Sequence, residues 1–228
     1  MPALFLTHEK KKIAVCVWKS NPLNPYNKTG AILTLDLDES IPTPTTEREP
    51  CVLVSGFKWP NDLVITPVGG IYFTDIAKGL VYYLPPKSKS PCIVLDELSS
   101  PNGIELQFDS ENETVLFVAE SGENRVRRYE IECPGGKVIE ASSPFDFNER
   151  TRVDGLALNS DGILLVAEKS AVYALNATDL GCLGCEPLRK QDAPVPSNIC
   201  FTPDGSFIVT SYKLYGFTKA ELFLGQFN

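Results

Sequence analysis

The sequence has one histidine, His8, near its start. A zinc site with two or three histidines cannot be assembled, and any Ser-His-Asp system would have to use that residue. Apolar runs stay well short of the roughly 18 residues of a membrane-spanning helix, which excludes an integral helical membrane protein. No convincing helical period of apolar residues extends beyond about ten positions, so long helices are not expected. Walker, GxGxxG, GxSxG and HExxH motifs are all missing. Basic charge is in deficit: Lys plus Arg is 21 against 29 for Asp plus Glu, a formal net charge of −8. That argues against a nucleic-acid partner held by overall basic charge. No secretory leader is legible, because the stretch from Met1 to Lys10 lacks a basic start and a long apolar centre.

What is present is a chain of 228 residues, 43% apolar and 22% charged. It can bury a sizeable core and does not read as disordered. Seven cysteines (Cys16, Cys51, Cys92, Cys133, Cys182, Cys185, Cys200) mostly sit in apolar stretches and are expected to be buried free thiols. Cys182 and Cys185 form a lone CxxC in what reads as a Gly-rich loop. With no second CxxC and no nearby histidine, it is weak for zinc and for redox chemistry. Glycosylation triplets at Asn27, Asn112 and Asn176 matter only in a secreted chain. The thiols point to the cytoplasm; the triplets and a longer N-terminus would keep secretion open.

Internal repetition is the main signal. Four segments share one grammar: Trp59 to Asp75, Pro101 to Glu120, Val153 to Glu168, and Ser197 to Ser211. Each has a short polar opening, an alternating strand, a turn and a second apolar strand. The turns carry Gly69-Gly70, Asp161-Gly162 and Asp204-Gly205, which are hairpin signals, and the longer polar Ser110-Glu111-Asn112 in the second segment. Further strands are expected at 80–84, 125–131 and 171–175. The N-terminal part adds 3–7, 13–18 and 31–37, around a Lys10-Lys11-Lys12 turn. The openings Asn61, Asn102, Asp154 and Asn198 are separated by 41, 52 and 44 residues. A period of roughly 40–50 residues with about four strands per unit marks a β-propeller. The expected fold is therefore all-β, with residues 1–228 as one propeller domain of about five blades. An all-β sandwich, the rival, leaves the returning polar opening unexplained.

In a propeller the innermost strand of each blade lines the central channel. Asn61, Asn102 and Asp154 should then converge at one mouth of that channel. Two amide oxygens and a carboxylate are hard donors that suit calcium best, with magnesium or manganese as alternatives. The competing interpretation is that these residues merely cap turns. Asp75, Glu120 and Glu168 end the second strands, with Ser211 in the fourth repeat. They are expected either as solvated strand ends or as supports that orient ligands.

Taken together, Trp-Pro-Asn-Asp-Leu with Ile-Tyr-Phe-Thr-Asp, Pro-Asn-Gly-Ile with Leu-Phe-Val-Ala-Glu, Asn124 to Tyr129, and Val-Asp-Gly-Leu-Ala resemble one family. It is the senescence marker protein / gluconolactonase / luciferin-regenerating enzyme family, and the resemblance is strongest over 57–212. It implies a six-bladed propeller with a divalent cation in the channel and hydrolysis of sugar lactones or similar esters. Asn102 then matches a direct metal ligand. Asp154 matches a ligand that is also the general base, and Asn61 matches a residue holding substrate or metal. Calcium is the implied cofactor, with magnesium, manganese or zinc as alternatives, and a small-molecule lactone is the implied partner. The family's first-blade metal-binding Glu, in a Glu-Gly-Pro-like setting, has no counterpart, and a first blade of about 50 residues is expected to be missing. Lys58 and Trp59 stand where some members carry a substrate-binding Arg.

Metal-assisted ester hydrolysis follows, with Asp154 as base on a water or as direct nucleophile. A truncated or non-catalytic propeller serving as a binding or scaffold module is the alternative. A strictosidine-synthase-like propeller with a channel Glu and no metal is a third, disfavoured by the Asn102 and Asp154 openings. Oligomeric state is not legible.

Overall fold

The computed structural model describes residues 4–7, 12–21, 24–36, 50–108, 114–147, 152–187, 195–212 and 221–225. Among them, twenty strands form five antiparallel sheets, and no helix is present. The first sheet holds β1 (Leu4–Thr7), β2 (Lys12–Asn21), β3 (Asn24–Asp36) and β4 (Cys51–Phe57). The second holds β5 (Pro60–Ile65), β6 (Ile71–Asp75), β7 (Leu80–Leu84) and β8 (Cys92–Leu95). In the third, β9 (Pro101–Phe108), β10 (Thr114–Glu120), β11 (Arg125–Ile131) and β12 (Val138–Ala141) run in order, and β13 (Phe145–Asp146) also pairs with β11. The fourth holds β14 (Val153–Leu158), β15 (Ile163–Glu168), β16 (Ala171–Asn176) and β17 (Cys182–Pro187). The fifth holds β18 (Val195–Phe201), β19 (Phe207–Tyr212) and β20 (Glu221–Gly225). Sequential meanders, each packed on the next, make the fold a β-propeller.

The core lies between sheets, which explains the apolar pattern. Along β6, Phe73 packs toward the first sheet with Cys16, Ile32 and Phe57. Its neighbour Tyr72 packs toward the third sheet with Ile104, Leu116 and Tyr129. Successive side chains point to opposite faces of a strand, and here both faces are covered. The middle strands therefore read as continuous apolar runs, and every residue from Ile71 to Asp75 is buried. The same holds for Val115 to Glu120 and for Leu164 to Glu168. Phe117 joins Val153, Leu156 and Val166 between the third and fourth sheets. Leu165 joins Ile199 and Val209 between the fourth and fifth.

The tight turns carry their glycines at positive φ, as at Gly69 (87°), Gly162 (76°) and Gly205 (83°). A side chain there would be strained. Strands at 80–84 and 125–131 coincide with β7 and β11. The Ser110-Glu111-Asn112 turn and most of the Lys10-Lys11-Lys12 turn lie outside the described residues. Two expectations are corrected. Of the seven cysteines only Cys16 is buried, and the other six are exposed. Apolar neighbours in a strand do not fix the face that a given residue takes. The CxxC lies on strand β17, not in a loop. Pairing of Ala174 with Gly184 and of Leu175 with Cys182 leaves Leu183 as the extra residue of a bulge, so Cys182 and Cys185 share one face.

Candidate functional site

Each repeat opening sits on a bulge. In the second sheet Pro60 pairs with Asp75 and Leu63 with Phe73, so three steps on β5 face two on β6. In the third, Pro101 pairs with Glu120 and Ile104 with Val118. The fourth repeats this with Val153 on Glu168 and Leu156 on Val166. In the fifth, Pro196 pairs with Ser211 and Asn198 with Thr210. One extra residue at the start of every inner strand re-aims the local side chains. The register also changes one assignment. Ser197, not Asn198, follows the residue paired with the end of the second strand, so Ser197 is the equivalent of Asn61, Asn102 and Asp154. Asn198 instead corresponds to Asp62, and like Asp62 it accepts a hydrogen bond from the next backbone N–H, that of Ile199 at 2.8 Å.

Glycines let the openings crowd together. A Cβ on Gly103 would lie 2.3 Å from the carbonyl oxygen of Asp154. One on Gly155 would lie 2.4 Å from Asn198 Oδ1 and 2.7 Å from its Cα. Only glycine permits inner strands to approach this closely. The result is a pocket of about 220 Å³ lined by Asn61, Asp62, Asn102, Arg152, Asp154, Ser197 and Asn198, with Trp18, Trp59 and Ile76 on its apolar side. Asn61, Asn102 and Asp154 thus face one cavity from three sheets.

Asn102 is the best-defined member of the site. It is 4% exposed. Its backbone carbonyl accepts from Thr74 Oγ1 at 2.8 Å, a bond across from the second sheet. Its Nδ2 donates to Ser121 Oγ at 3.0 Å, and its amide helps to favour the ionised form of Asp154. Ser121 Oγ in turn donates to the carbonyl of Val153, next to Asp154. The buried Oδ1 has no hydrogen-bond partner among the described residues.

Asp154 is half-buried. Burial pushes its carboxyl up to about 6, against the opposing pull of Arg152 and hydrogen bonds from Ser197 and Asn102. Deeper in, Asp62 Oδ1 accepts from Leu63 N–H and Oδ2 from Ile104 N–H, both at 3.0 Å. It ties the second sheet to the third, and burial lifts it to about 8. Glu105 repeats the device one sheet on. It accepts from Leu106 N–H at 2.8 Å, and burial lifts it to about 7 against the opposing pull of the Leu106 and Leu158 N–H groups.

The acidic strand ends are not solvated, as one of the two expectations had it. Asp75 and Glu120 are fully buried, and Glu168 is 1% exposed. Asp75 accepts from Lys58 N–H at 2.8 Å and Trp59 N–H at 3.0 Å. Glu120 accepts from Ser99 N–H at 2.9 Å and takes a two-pronged ion pair from Arg125 at 2.9 and 3.1 Å. Glu168 Oε2 accepts from the N–H and hydroxyl of Ser170. Asp75 and Glu120 grip the backbone just ahead of Asn61 and Asn102, so they position the openings without touching the pocket. Sequence reasoning passed over Ser197, Trp18 and Arg152. The proline before Asn61, Asn102 and Ser197 is the signal that would have found Ser197.

Residues 27–213 match the sequence profile of the SMP-30/Gluconolactonase/LRE-like region. The chain belongs to this family. Among relatives of this SMP-30/gluconolactonase member, Lactonase drp35 of Staphylococcus haemolyticus is 30% identical over 179 residues, 73% of this chain and 50% of that protein. The chain thus spans about half the length of the lactonases it matches. A gluconolactonase from Xanthomonas campestris shares the fold with a TM-score of 0.68 at 19% identity, over 97% of this chain and 70% of that one. Regucalcin from Agrobacterium tumefaciens, a calcium-binding protein, gives 0.65 at 15% identity, over 95% and 70%. Among the described residues, no helix is long and apolar enough to cross a membrane.

Proposed function

We propose that this SMP-30/gluconolactonase member opens a lactone ring with water, in the pocket shared by Asn61, Asn102, Asp154 and Ser197. Asn102 carries the reading. Its Nδ2 donates to Ser121, and its buried Oδ1 is left without a partner among the described residues. A buried acceptor that nothing meets costs about 1–3 kcal/mol. A hard cation answers that acceptor, and Asn102, Asp154 and Asn61 are the residues that would hold it. The set has one carboxylate among neutral oxygens, which suits calcium best, with magnesium, manganese or zinc as alternatives, and implies modest affinity. Such a cation, when bound, supplies polarisation of the lactone carbonyl and stabilises the charge that develops on its oxygen.

The chain's own residues supply the rest. Ionised Asp154 takes a proton from a water whose oxygen bonds to the carbonyl carbon. The ring C–O bond then breaks, and the departing ring oxygen takes the proton back from Asp154. The product is an open hydroxy acid, which releases a proton to solvent at neutral pH. Burial alone raises the Asp154 carboxyl, and a bound cation would favour the ionised form that can act as a base. Arg152, Ser197 and Asn102 favour the ionised form of Asp154. Asn61 contacts the substrate from the second sheet. Six exposed thiols support a reducing compartment, the cytoplasm.

A non-catalytic binding propeller is the second reading. The observation favouring it is that no group of three His, Cys, Asp or Glu side chains gathers as metal ligands among the described residues. Proton release from a panel of lactones separates the two. The wild type is expected to acidify the medium with calcium present. The rate should fall at least about a hundredfold in Asp154→Ala or under a chelator. Undiminished release in Asp154→Ala overturns the mechanism, and silence on every lactone leaves the binding reading.

A further inference from the structure

The pocket has a polar floor and an apolar wall. Asn102, Asp154 and Ser197, from the third, fourth and fifth sheets, and Asn61 and Asp62, from the second, are polar. Trp18, on the first sheet, and Trp59 and Ile76, which flank strands of the second, form the apolar wall. The two indoles meet edge to face, with centroids 5.4 Å apart and planes at 62°. This is a favoured geometry for aromatic pairs. Trp59 stands on a fixed backbone: its N–H donates to the buried Asp75 at 3.0 Å, and its carbonyl accepts from Ile76 N–H at 3.0 Å. Trp18 stays 43% exposed. A large aromatic face left half in water beside a polar reacting centre is surface that a ligand can cover with a gain in free energy.

From this two-sided wall we propose that the pocket selects lactones whose non-reacting end is an apolar chain or ring, in preference to polyhydroxylated sugar lactones. The inference rests on the lactonase reading and names its substrate class. With the carbonyl among Asn102, Asp154 and Ser197, the substituent of the ring falls against the indoles and Ile76. A sugar lactone would press hydroxyls onto that wall, where the apolar rings cannot replace the water partners they give up, and unmade hydrogen bonds weigh against binding. An alkyl or aryl group loses nothing there and shields the Trp18 face.

Trp18 and Trp59 are the chain's only tryptophans, so its whole indole fluorescence reports this wall. The test uses the full chain with calcium and has two arms. One measures kcat/KM on δ-lactones of growing alkyl chain and on glucono-1,5-lactone. The other titrates indole fluorescence with 2-pentylcyclopentanone, which keeps a carbonyl and chain but cannot be hydrolysed, and with glucono-1,5-lactam. The expected result is a rise of about fourfold per added methylene until the wall is covered, the factor for burying one CH₂. Saturable quenching by the ketone and not by the lactam should accompany it. Trp18→Ala, a change at a half-exposed position, should flatten the chain-length series with an unchanged melting temperature. Equal or faster opening of the sugar lactone, with no chain-length trend, overturns the inference and leaves the lactonase reading standing. No hydrolysis of any lactone, but quenching by the ketone alone, overturns the lactonase reading and supports the wall's preference. No hydrolysis and no selective quenching overturns both.

Discussion

Two sets of polar side chains occupy neighbouring positions at the same end of the sheets, and they behave in opposite ways. The frame set comprises Asp75, Glu120 and Glu168 at the ends of second strands, with Asp62, which also borders the cavity, and Glu105 on inner strands. Its carboxylates hold backbone N–H groups or Arg125. The pocket set, Asn61, Asn102, Asp154 and Ser197, lines a cavity, and its buried Asn102 Oδ1 lacks a partner among the described residues. Asp62, Asp75 and Glu120 engage both carboxylate oxygens and serve as mortar. Asn102 Oδ1 and Glu168 Oε1 both lack a partner among the described residues, and of the two residues only Asn102 lines the cavity. Burial alone does not mark the site, because Asp62, Asp75, Glu120 and Glu168 are more deeply buried than Asp154.

The comparison breaks most visibly at Glu120. Its carboxylate is fully buried and its partner Arg125 sits partly exposed. Removing one member of such a pair typically costs about 3–5 kcal/mol. Glu120→Ala is therefore expected to lower unfolding free energy by roughly that amount in urea titrations, whereas Asp154→Ala should lose activity with far less loss of stability. A smaller effect is expected at Gly155. Its missing Cβ makes room for Asn198, and overpacking there costs about 1–3 kcal/mol. Gly155→Ala should lower the melting temperature and also displace Asp154, so kcat should fall further than stability alone accounts for.

A subtler effect is expected at Glu105. Its folded-state carboxyl lies at about 7, above the ordinary 4.5, because burial disfavours the charge. The folded protein keeps a proton that the unfolded chain gives up between those values. This contribution is fully present below about 4.5 and is lost as pH rises toward 7. Asp62, raised to about 8, adds a fall of the same sign over a wider window. Melting temperature should thus decline from pH 4.5 to 7. It should decline less in Glu105→Gln, and least in Glu105→Gln with Asp62→Asn.

Much of this arrangement was legible in the sequence, because the repeat is written in residues with strong local requirements. Asn-Gly, Asp-Gly and Gly-Gly set turns or close approaches, and the 41- to 52-residue spacing brings Asn61, Asn102 and Asp154 to one cavity. Ser197 was hidden because Asn198 beside it matched the other openings in residue type, and only the pairing of Pro196 with Ser211 fixes the register. The sequence leaves the acidic ends open between solvated ends and supports, because a lone Asp or Glu normally marks solvent and the partners of Asp75 and Glu120 include backbone groups that sequence does not display. Outer strands such as β8 and β17 are short and largely exposed, so they lack the alternation that reveals a strand. Trp18 gave no signal, since nothing local ties it to Trp59 on the next sheet.

The central claim is that the incomplete hydrogen bonding of Asn102 marks a cation position beside Asp154. A calcium titration followed by melting temperature tests it most directly, since a ligand that binds only the folded state raises stability by mass action. The account predicts that calcium stabilises the wild type and leaves Asn102→Ala unmoved. An equal shift in both proteins, or none in the wild type at millimolar calcium, would contradict it.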